Sequence, residues 1–382
     1  MLFILDRSLD EIANNNEHQL HEELWIQFNI IALSRRNRKI ALFIESSELF
    51  PIIAVSNRVG NQVKSIFLSV NNSRAFKKSL LEKLSTRIRI VASGDIIHEK
   101  KYGNVVEIII PLAKIPFGIF SAPALLAENL HDAQAYSVMS RIVREAGVGD
   151  LPAVDINFEL KGGGGSTVNV EYKNLKNLQD RLLLCILDSD IKFPGDVTNN
   201  VNLDIIDNNF KFPSPISTAC VIETYSIENL LPFDSLYELS PFSDDEGAKY
   251  RLKVDRPFLN KHGSDTYWRY IRLKKGVDCK TFRDANSVGI FWQSFSGRFT
   301  DYSSKNCKKN ISDCKHSCLK SPTYPDSVVK NFSSHYFASS NRNFSGLYLS
   351  VPDSVKDSFV KIATLVTAWG CVGRELPGIA SD

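Results

Sequence analysis

The run at 181–187 (RLLLCIL), which is apolar throughout after Arg181, constrains the fold more than any other segment of this chain. A run without polar alternation is typical of a strand that is buried on both faces, as in a parallel sheet. Shorter strand-like runs lie at 124–127, 153–160 and 218–222, and helical patterns lie between them at 131–145 and 168–178. Because strands that alternate with helices form βαβ units, we expect an α/β fold with a mostly parallel, Rossmann-like sheet.

Acidic side chains stand at the ends of three of these strands. Glu128 follows the first, Asp188 and Asp190 follow the long apolar run, and Glu223 follows the last, with Glu228 five residues further on. Parallel strands end at one edge of a sheet, where the ligand crevice of an open α/β sheet lies. Crowded carboxylates repel one another unless a cation lies between them, and their oxygens suit Mg²⁺ or Mn²⁺. The pattern favours a divalent-metal site over three separate acids that face water.

The glycine cluster at 162–165 precedes Ser166 and Thr167 and invites comparison with a nucleotide-binding loop. A P-loop needs a lysine directly before the serine or threonine, and Gly165 stands at that place. An ATPase is therefore disfavoured. Two roles stay open: a turn whose N–H groups hold a phosphate at a helix N-terminus, and a purely structural tight turn.

Together these motifs resemble a known family. The segments LLAENLHDAQAY, KGGGGST, LLLCILDSD and ETYSIEN follow one another in the order and with the rough spacing of the TOPRIM domain. The similarity is strongest to the OLD-family nucleases and related bacterial anti-phage TOPRIM proteins. It covers 121–232, about a third of the chain.

The resemblance implies metal-dependent cleavage of phosphodiester bonds. It makes Glu128 a metal ligand or general acid–base, and it makes Asp188 and Asp190 the metal ligands of a D-x-D pair. Asp132 matches the second acidic position of the two-metal OLD branch. Because alternate side chains of an extended chain point to opposite faces, we expect a turn at the D-x-D pair.

The later part of the motif series leaves two questions open. Either Glu223 or Glu228 supplies the late acid, and Lys274 is the candidate for the lysine that such nucleases use downstream. OLD proteins also carry an ATPase domain, and none is recognisable here. We therefore expect a separate ATPase or sensor subunit as a partner.

The resemblance divides the chain into three parts. A TOPRIM catalytic domain is expected at 119–235, between an N-terminal domain at 1–118 and a basic, cysteine-containing region at 236–382. The N-terminal part combines helical patterns with strand-like runs, which lie at 39–53, 64–70, 88–92 and 104–111. We expect an α+β domain there, with a packing or partner-binding role.

The C-terminal region carries two further signals. Residues 247–320 are rich in Lys and Arg with interleaved Tyr and Trp, which favours contact with nucleic acid. A cluster of potential zinc ligands comprises Cys307, Cys314, His316 and Cys318, with Cys279 upstream. Its spacing does not match the common C-x₂-C pairs, which favours a chance cluster over a structural Zn²⁺ site.

Composition limits the compartment and the mode of binding. The net charge is only +3, so nucleic-acid binding by bulk charge is excluded. The seven cysteines are an odd number, and the opening residues lack the basic start of a signal peptide. No apolar run is long enough for a bilayer span. We expect a cytoplasmic protein without membrane contact.

The sequence thus predicts a metal-dependent TOPRIM endonuclease that cleaves DNA or RNA as an effector of anti-phage defence. Two alternatives stay open: a non-catalytic TOPRIM scaffold that binds nucleic acid or protein, and a toxin directed at tRNA rather than at DNA. A topoisomerase or primase component would share the acidic site. However, the chain is too short for a strand-passage body and shows no zinc ribbon before the domain.

Overall fold

The computed structural model describes residues 1–239, 266–277, 281, 285–295, 327–337 and 344–373. Within these residues the chain forms a five-stranded sheet, a four-stranded sheet and a two-stranded pair. Thirteen helices cover them in the same part of the chain. The prediction of an α/β fold with mostly parallel pairing is confirmed.

The first sheet is built from β1 (Leu2–Leu5), β2 (Ala41–Ile44), β3 (Thr86–Val91), β4 (His98–Tyr102) and β5 (Val105–Pro111). The strand order is β2-β1-β3-β5-β4. All neighbours pair in parallel except β4, which is antiparallel to β5 and exposed along its length. The connecting helices are α1 (Leu9–Asn14), α2 (His21–Arg36), α3 (Leu49–Val55), α4 (Asn61–Asn72) and α5 (Arg74–Lys83).

This first region is α/β rather than the expected α+β. The run at 39–53 divides into β2 and α3, and the run at 64–70 lies inside α4 instead of forming a strand. The buried residues of α4 are Val63, Ile66, Phe67 and Val70. Their spacing of three, one and three is the period of a helix, which the apolar β-branched composition had concealed. With α3 and α4 predicted as strands, too few helices remained to connect parallel strands, which require long crossovers.

The second sheet contains β6 (Ala124–Ala127), β8 (Glu159–Gly162), β9 (Leu183–Leu187) and β10 (Ser217–Val221), all parallel. Its order is β10-β9-β6-β8. The connecting helices are α6 (Leu130–Ala146), α7 (Val168–Leu178) and α8 (Asn200–Lys211). Every residue of β9 is buried, as expected for a central parallel strand.

Alternate residues of β6 define two layers around this sheet. Leu125 and Ala127 belong to the main core together with α6, whereas Leu126 packs with Tyr172 and Ile205 of α7 and α8. From β6 the chain crosses through α6 to β8 on one side, and β9 then pairs on the other side of β6. The strand order therefore reverses between β6 and β9. The carboxyl ends of these two strands form the crevice in which ligands of such sheets bind.

The C-terminal segments complete the main core. After α9 (Phe233–Leu239), the described helices are α10 (Ser287–Gln293), α11 (Val328–Tyr336), α12 (Ser345–Leu349) and α13 (Lys356–Gly370). Both α11 and α13 pack against α6, where Ser140 and Thr367 share a buried hydrogen bond of 2.7 Å. The chain then forms β11 (Cys371–Val372), which pairs with β7 (Asp155–Ile156). Among the described helices, none has the length and apolar character that crossing a membrane requires.

Candidate active site

The ends of β6 and β9 bring Glu128 and Asp188 to the same edge of the second sheet. The register pairs Leu126 with Cys185, so Glu128 stands beside the end of β9, where Asp188 follows. Both residues are only partly exposed. The expected convergence of acidic residues at the carboxyl edge therefore occurs for these two strands.

Asp132 lies in the first turn of α6, four residues after Glu128. Its side chain is 8% exposed, and its Oδ2 accepts a hydrogen bond of 3.0 Å from the backbone N–H of Asn129. This contact caps the helix, which is a structural role in its own right. The capping bond also fixes the carboxylate at the edge that carries Glu128.

The chain turns sharply at the D-x-D pair, as its geometry requires. Asp190 has a φ of +56°, and its backbone N–H donates to the carbonyl of Tyr225 at 2.9 Å. Asp188 Oδ1 accepts from the backbone N–H of Ile227 at 3.0 Å, and Asn199 Nδ2 donates to Asp190 Oδ2 at 2.8 Å. The charge of Asp190 raises the pKa of Glu128, so the two carboxyl groups lie near each other.

Glu228 and Lys274 form the opposite wall of this cluster. Glu228 lies in the 3₁₀ turn Ile227–Leu230 and is 2% exposed. Its Oε1 is 2.9 Å from Lys274 Nζ, and its Oε2 has no hydrogen-bond partner in the described part of the chain. The side chain of Asn229 donates to the carbonyls of Trp268 and Ile271 at 2.7 and 2.9 Å. These bonds hold the segment that carries Lys274 against the turn that carries Glu228.

Glu223 does not join the cluster. Its side chain is 46% exposed and contacts Lys361 at 2.6 Å, Ser358 at 2.9 Å and Arg269 at 3.5 Å. The hydrogen bond from Lys361 is the largest cause that lowers the pKa of Glu223. Of the two acids left open by the sequence, the structure brings Glu228 to the cluster and directs Glu223 toward α13.

Burial and mutual repulsion raise the pKa values of three of the clustered carboxyl groups. Burial, followed by Asp190 and Asp132, raises the pKa of Glu128 from 4.5 to about 7. Burial, followed by Glu228, raises the pKa of Asp132 from 3.8 to about 6. The pKa of Asp188 is raised well above 3.8, first by burial and then by Glu228 and Glu128.

Lys274 is the cation that these carboxylates share. Burial lowers its pKa, but the attraction of Glu228, Asp188 and Asp132 outweighs burial and raises it. Within the described part of the chain, this one positive charge thus acts on four carboxyl groups, Glu128, Asp132, Asp188 and Glu228, while Asp190 lies beside Glu128. Such a site attracts a further cation or retains protons.

The donor set fits a divalent metal ion in chemistry, although the side chains do not already surround one point. Among the described residues, no three His, Cys, Asp or Glu side chains are arranged as a ready ligand set. The donors are carboxylate oxygens, which Mg²⁺ and Mn²⁺ prefer. The buried, unpartnered Oε2 of Glu228 is an acceptor that an ion would satisfy. Binding would require side-chain rotations within the cluster.

The glycine cluster holds the backbone of Glu128 in place through hydrogen bonds. Gly165 N–H donates to the carbonyl of Glu128 at 3.0 Å, and Gly163 N–H donates to that of Ala127 at 2.8 Å. A Cβ on Gly162 would lie 2.8 Å from the backbone nitrogen of Leu130, and Gly164 has a φ of +73°. Close packing and backbone conformation account for these glycines. Of the two roles that the sequence left open, phosphate binding and a structural tight turn, these contacts support the structural turn.

Several supporting residues were not found from the sequence. Tyr136 is 1% exposed, and burial followed by the charges of Asp188 and Asp132 raises its pKa well above 10. Asn202 donates to the carbonyl of Asp188 at 2.6 Å. Tyr136 follows Asp132 by four residues on one face of α6, a spacing that would have identified it. The contact of Asn202 depends on the docking of α8 and had no comparable signal.

The potential zinc ligands Cys307, Cys314, His316 and Cys318, together with Cys279, lie outside the described residues. Most of the basic segment 247–320 also lies outside them, apart from 266–277, 281 and 285–295. No family model matches the chain, and neither a curated protein nor a solved structure matches it.

Proposed function

We propose that this protein is a metal-dependent endonuclease of the TOPRIM type, which hydrolyses phosphodiester bonds in DNA or RNA. The observation that carries the proposal is the carboxylate cluster at the reversal of strand order, with Glu128, Asp132, Asp188 and Glu228 around Lys274. Buried like charges destabilise a fold, so a chain that gathers them at a ligand crevice uses them for chemistry.

Each group has a role that follows from its surroundings. Asp188, Asp190, Asp132 and Glu228 would hold Mg²⁺ or Mn²⁺, which when bound supplies Lewis acidity and charge neutralisation at the phosphate. Glu128 would accept or deliver a proton, because a pKa of about 7 suits a general acid–base near neutral pH. Lys274 would offset the negative charge that develops on the phosphate in the transition state.

A non-catalytic scaffold is the competing function. It accounts for Asp132 as a helix cap and for Asp188 as the acceptor of the Ile227 N–H. It does not account for the unpartnered Oε2 of Glu228 at 2% exposure, since an unsatisfied buried oxygen costs about 1–3 kcal/mol. The nuclease is therefore the better proposal, with action in anti-phage defence and control by a separate ATPase or sensor subunit as its biological setting.

Cleavage assays test the proposal directly. Purified protein with Mg²⁺ or Mn²⁺ is incubated with plasmid DNA, single-stranded DNA and tRNA, and the products are separated on denaturing gels. Cleavage should require the metal, and Asp188→Asn should lower its rate by about 100-fold or more, because several kcal/mol of transition-state stabilisation are lost.

The matched control is Glu223→Gln, which changes a carboxylate at the same sheet edge but outside the cluster. This variant should retain activity, and circular dichroism should give the same spectrum for all three proteins. Equal activity of Asp188→Asn and wild type, or cleavage that persists in EDTA, would reject the assigned site.

A further inference from the structure

A cavity of about 320 Å³ opens beside the carboxylate cluster. Tyr225 forms the shared wall: it lines the cavity, and its backbone carbonyl accepts a hydrogen bond of 2.9 Å from the backbone N–H of Asp190. Burial, followed by Asp190, raises the pKa of Tyr225 to about 12, and Arg272 acts in the opposite direction from the cavity side. The cavity therefore lies next to the cluster, with one side chain between them.

The charge of the cavity is opposite to that of the cluster. Lys192, Arg272 and Lys275 line it, and all three are exposed. No Asp or Glu is found among its lining residues in the described part of the chain. Three cations without a carboxylate among them favour an anion, and a phosphate group is the anion that Lys and Arg bind in nucleic acids.

Aromatic rings form the rest of the wall. Tyr270 is half-buried and Trp292 is buried, and both lie against Phe291 with ring centroids 5.3 and 5.2 Å apart. These contacts fix the rings in position. Aromatic faces beside cations are the combination that binds single-stranded nucleic acid, because bases stack while the backbone follows the positive charge.

The size of the cavity restricts its occupant. A volume of about 320 Å³ is at the lower end of the about 300–1,000 Å³ typical of small-molecule pockets. It accommodates a single nucleotide and excludes a base-paired duplex. A duplex would also keep its bases stacked on one another and unavailable to Tyr270.

We infer that this cavity binds one nucleotide of a single-stranded segment next to the cleavage site. The base lies against the aromatic wall of Tyr270, and the phosphate lies on Lys192, Arg272 and Lys275. This inference rests on the proposed function for its choice of ligand. It requires neither the metal nor the cleavage step.

Binding in the absence of metal tests the inference. A fluorescein-labelled single-stranded oligonucleotide is titrated with the full-length protein in EDTA, and anisotropy is measured over a range of salt concentrations. Lys275→Ala and Arg272→Ala should each weaken binding about fivefold at 0.1 M salt and reduce the slope of log K against log salt by about 0.7. Tyr270→Leu should weaken binding about fivefold or more, whereas Tyr270→Phe keeps the ring and should bind like wild type.

Lys211→Ala is the matched control for the charge variants. Lys211 is exposed at the C-terminal end of α8, which lies at the opposite edge of the sheet from the cluster. It should leave binding unchanged. Equal loss of affinity in Lys211→Ala and Lys275→Ala, or a duplex that binds as tightly as the single strand and ignores Tyr270→Leu, would overturn the inference.

The outcomes separate this inference from the nuclease proposal. If metal-free binding depends on Tyr270 and Lys275 but no divalent ion supports cleavage, the nuclease proposal fails and the cavity assignment stands. If the protein cleaves nucleic acid and the cavity variants bind like wild type, the cavity assignment fails and the nuclease proposal stands.

Discussion

Both large sheets carry acidic residues at the ends of adjacent parallel strands, but they differ in the positive charges that surround these acids. In the first sheet Asp6 follows β1 and Glu45 follows β2, and Arg89 Nη1 contacts their carboxylates at 2.6 and 2.5 Å. Arg89 Nε also contacts Glu107 at 2.9 Å. At the edge of the second sheet, Lys274 is the cation that the described residues place among Glu128, Asp132, Asp188 and Glu228.

The difference in counter-charge is visible in the pKa values. Burial raises the pKa of Glu107, but the hydrogen bonds from Arg89 and Arg87 outweigh it and leave that pKa below 4.5. In the second sheet burial acts in the same direction and repulsion adds to it, so that the pKa of Glu128 reaches about 7. An acid at a strand end indicates a reactive site only where the fold withholds its positive partner.

Removal of Arg89 should produce the largest change in stability. Arg89→Met leaves the carboxylates of Asp6, Glu45 and Glu107 without their shared cation in a mostly buried position. Breaking such a network costs about 3–5 kcal/mol, and urea denaturation would measure the loss. Arg58→Met is the control, because the pair between Arg58 and Glu22 is exposed and should contribute less than about 1 kcal/mol. Equal losses in both variants would show that Arg89 does not hold the first sheet together.

A divalent cation should stabilise the protein through the carboxylate cluster of the second sheet. It should not change what the ion pairs of the first sheet contribute to the free energy of unfolding. Mg²⁺ at about 100 times its dissociation constant adds about 2.7 kcal/mol to a fold that binds it only in the native state. Differential scanning fluorimetry with increasing Mg²⁺ should show a rising melting temperature for wild type and a much smaller rise for Asp188→Asn. If both proteins respond equally, the ion binds elsewhere and the cluster is not its site.

The comparison also explains how far the sequence could lead. The apolar run of β9 was sufficient to predict a central parallel strand, because burial on both faces leaves no polar alternation. The helix α8 that follows was missed, since the polar composition of 194–215 predicts a loop, and the single strand expected at 153–160 divides into β7 and β8. The same signal, an apolar strand followed by an acid, occurs after β1 and β2. The sequence does not reveal that Arg89, far along the chain, neutralises those acids.

Contacts between residues distant in sequence also limit how much of the candidate site can be predicted from the sequence. The choice between Glu223 and Glu228 depends on the turn after β10 and on Lys361, which draws Glu223 toward α13. Lys274 reaches Glu228 because Asn229 holds the carbonyls of Trp268 and Ile271. Such contacts join residues that are 39 or more positions apart in the sequence, and no local pattern encodes them.

The smallest expected change is in how folding stability depends on pH. It is also the most specific test, because the sign of this dependence differs between the two sheets. Glu128→Gln replaces a carboxyl group whose folded pKa is raised from 4.5 to about 7. The stability that wild type derives from protonation is complete below pH 4.5 and is lost as the pH rises through about 7. In EDTA the variant should therefore match wild type near pH 4.5 and exceed it by about 1–2 kcal/mol at pH 8, with allowance for solvent screening.

Glu107→Gln should show the opposite dependence, because the folded pKa of Glu107 lies below 4.5. Wild type gains stability from the ionised carboxylate at every pH above 4.5 and loses it as the pH falls through the folded pKa. This variant should be less stable than wild type at pH 7, and the difference should shrink in acid. Urea denaturation of both variants from pH 3.5 to 8 measures the two slopes. If the stability difference between variant and wild type changes with pH in the same direction for both variants, the two sheets do not differ in the charges that surround their acids. The electrostatic argument for a reactive cluster would then fail.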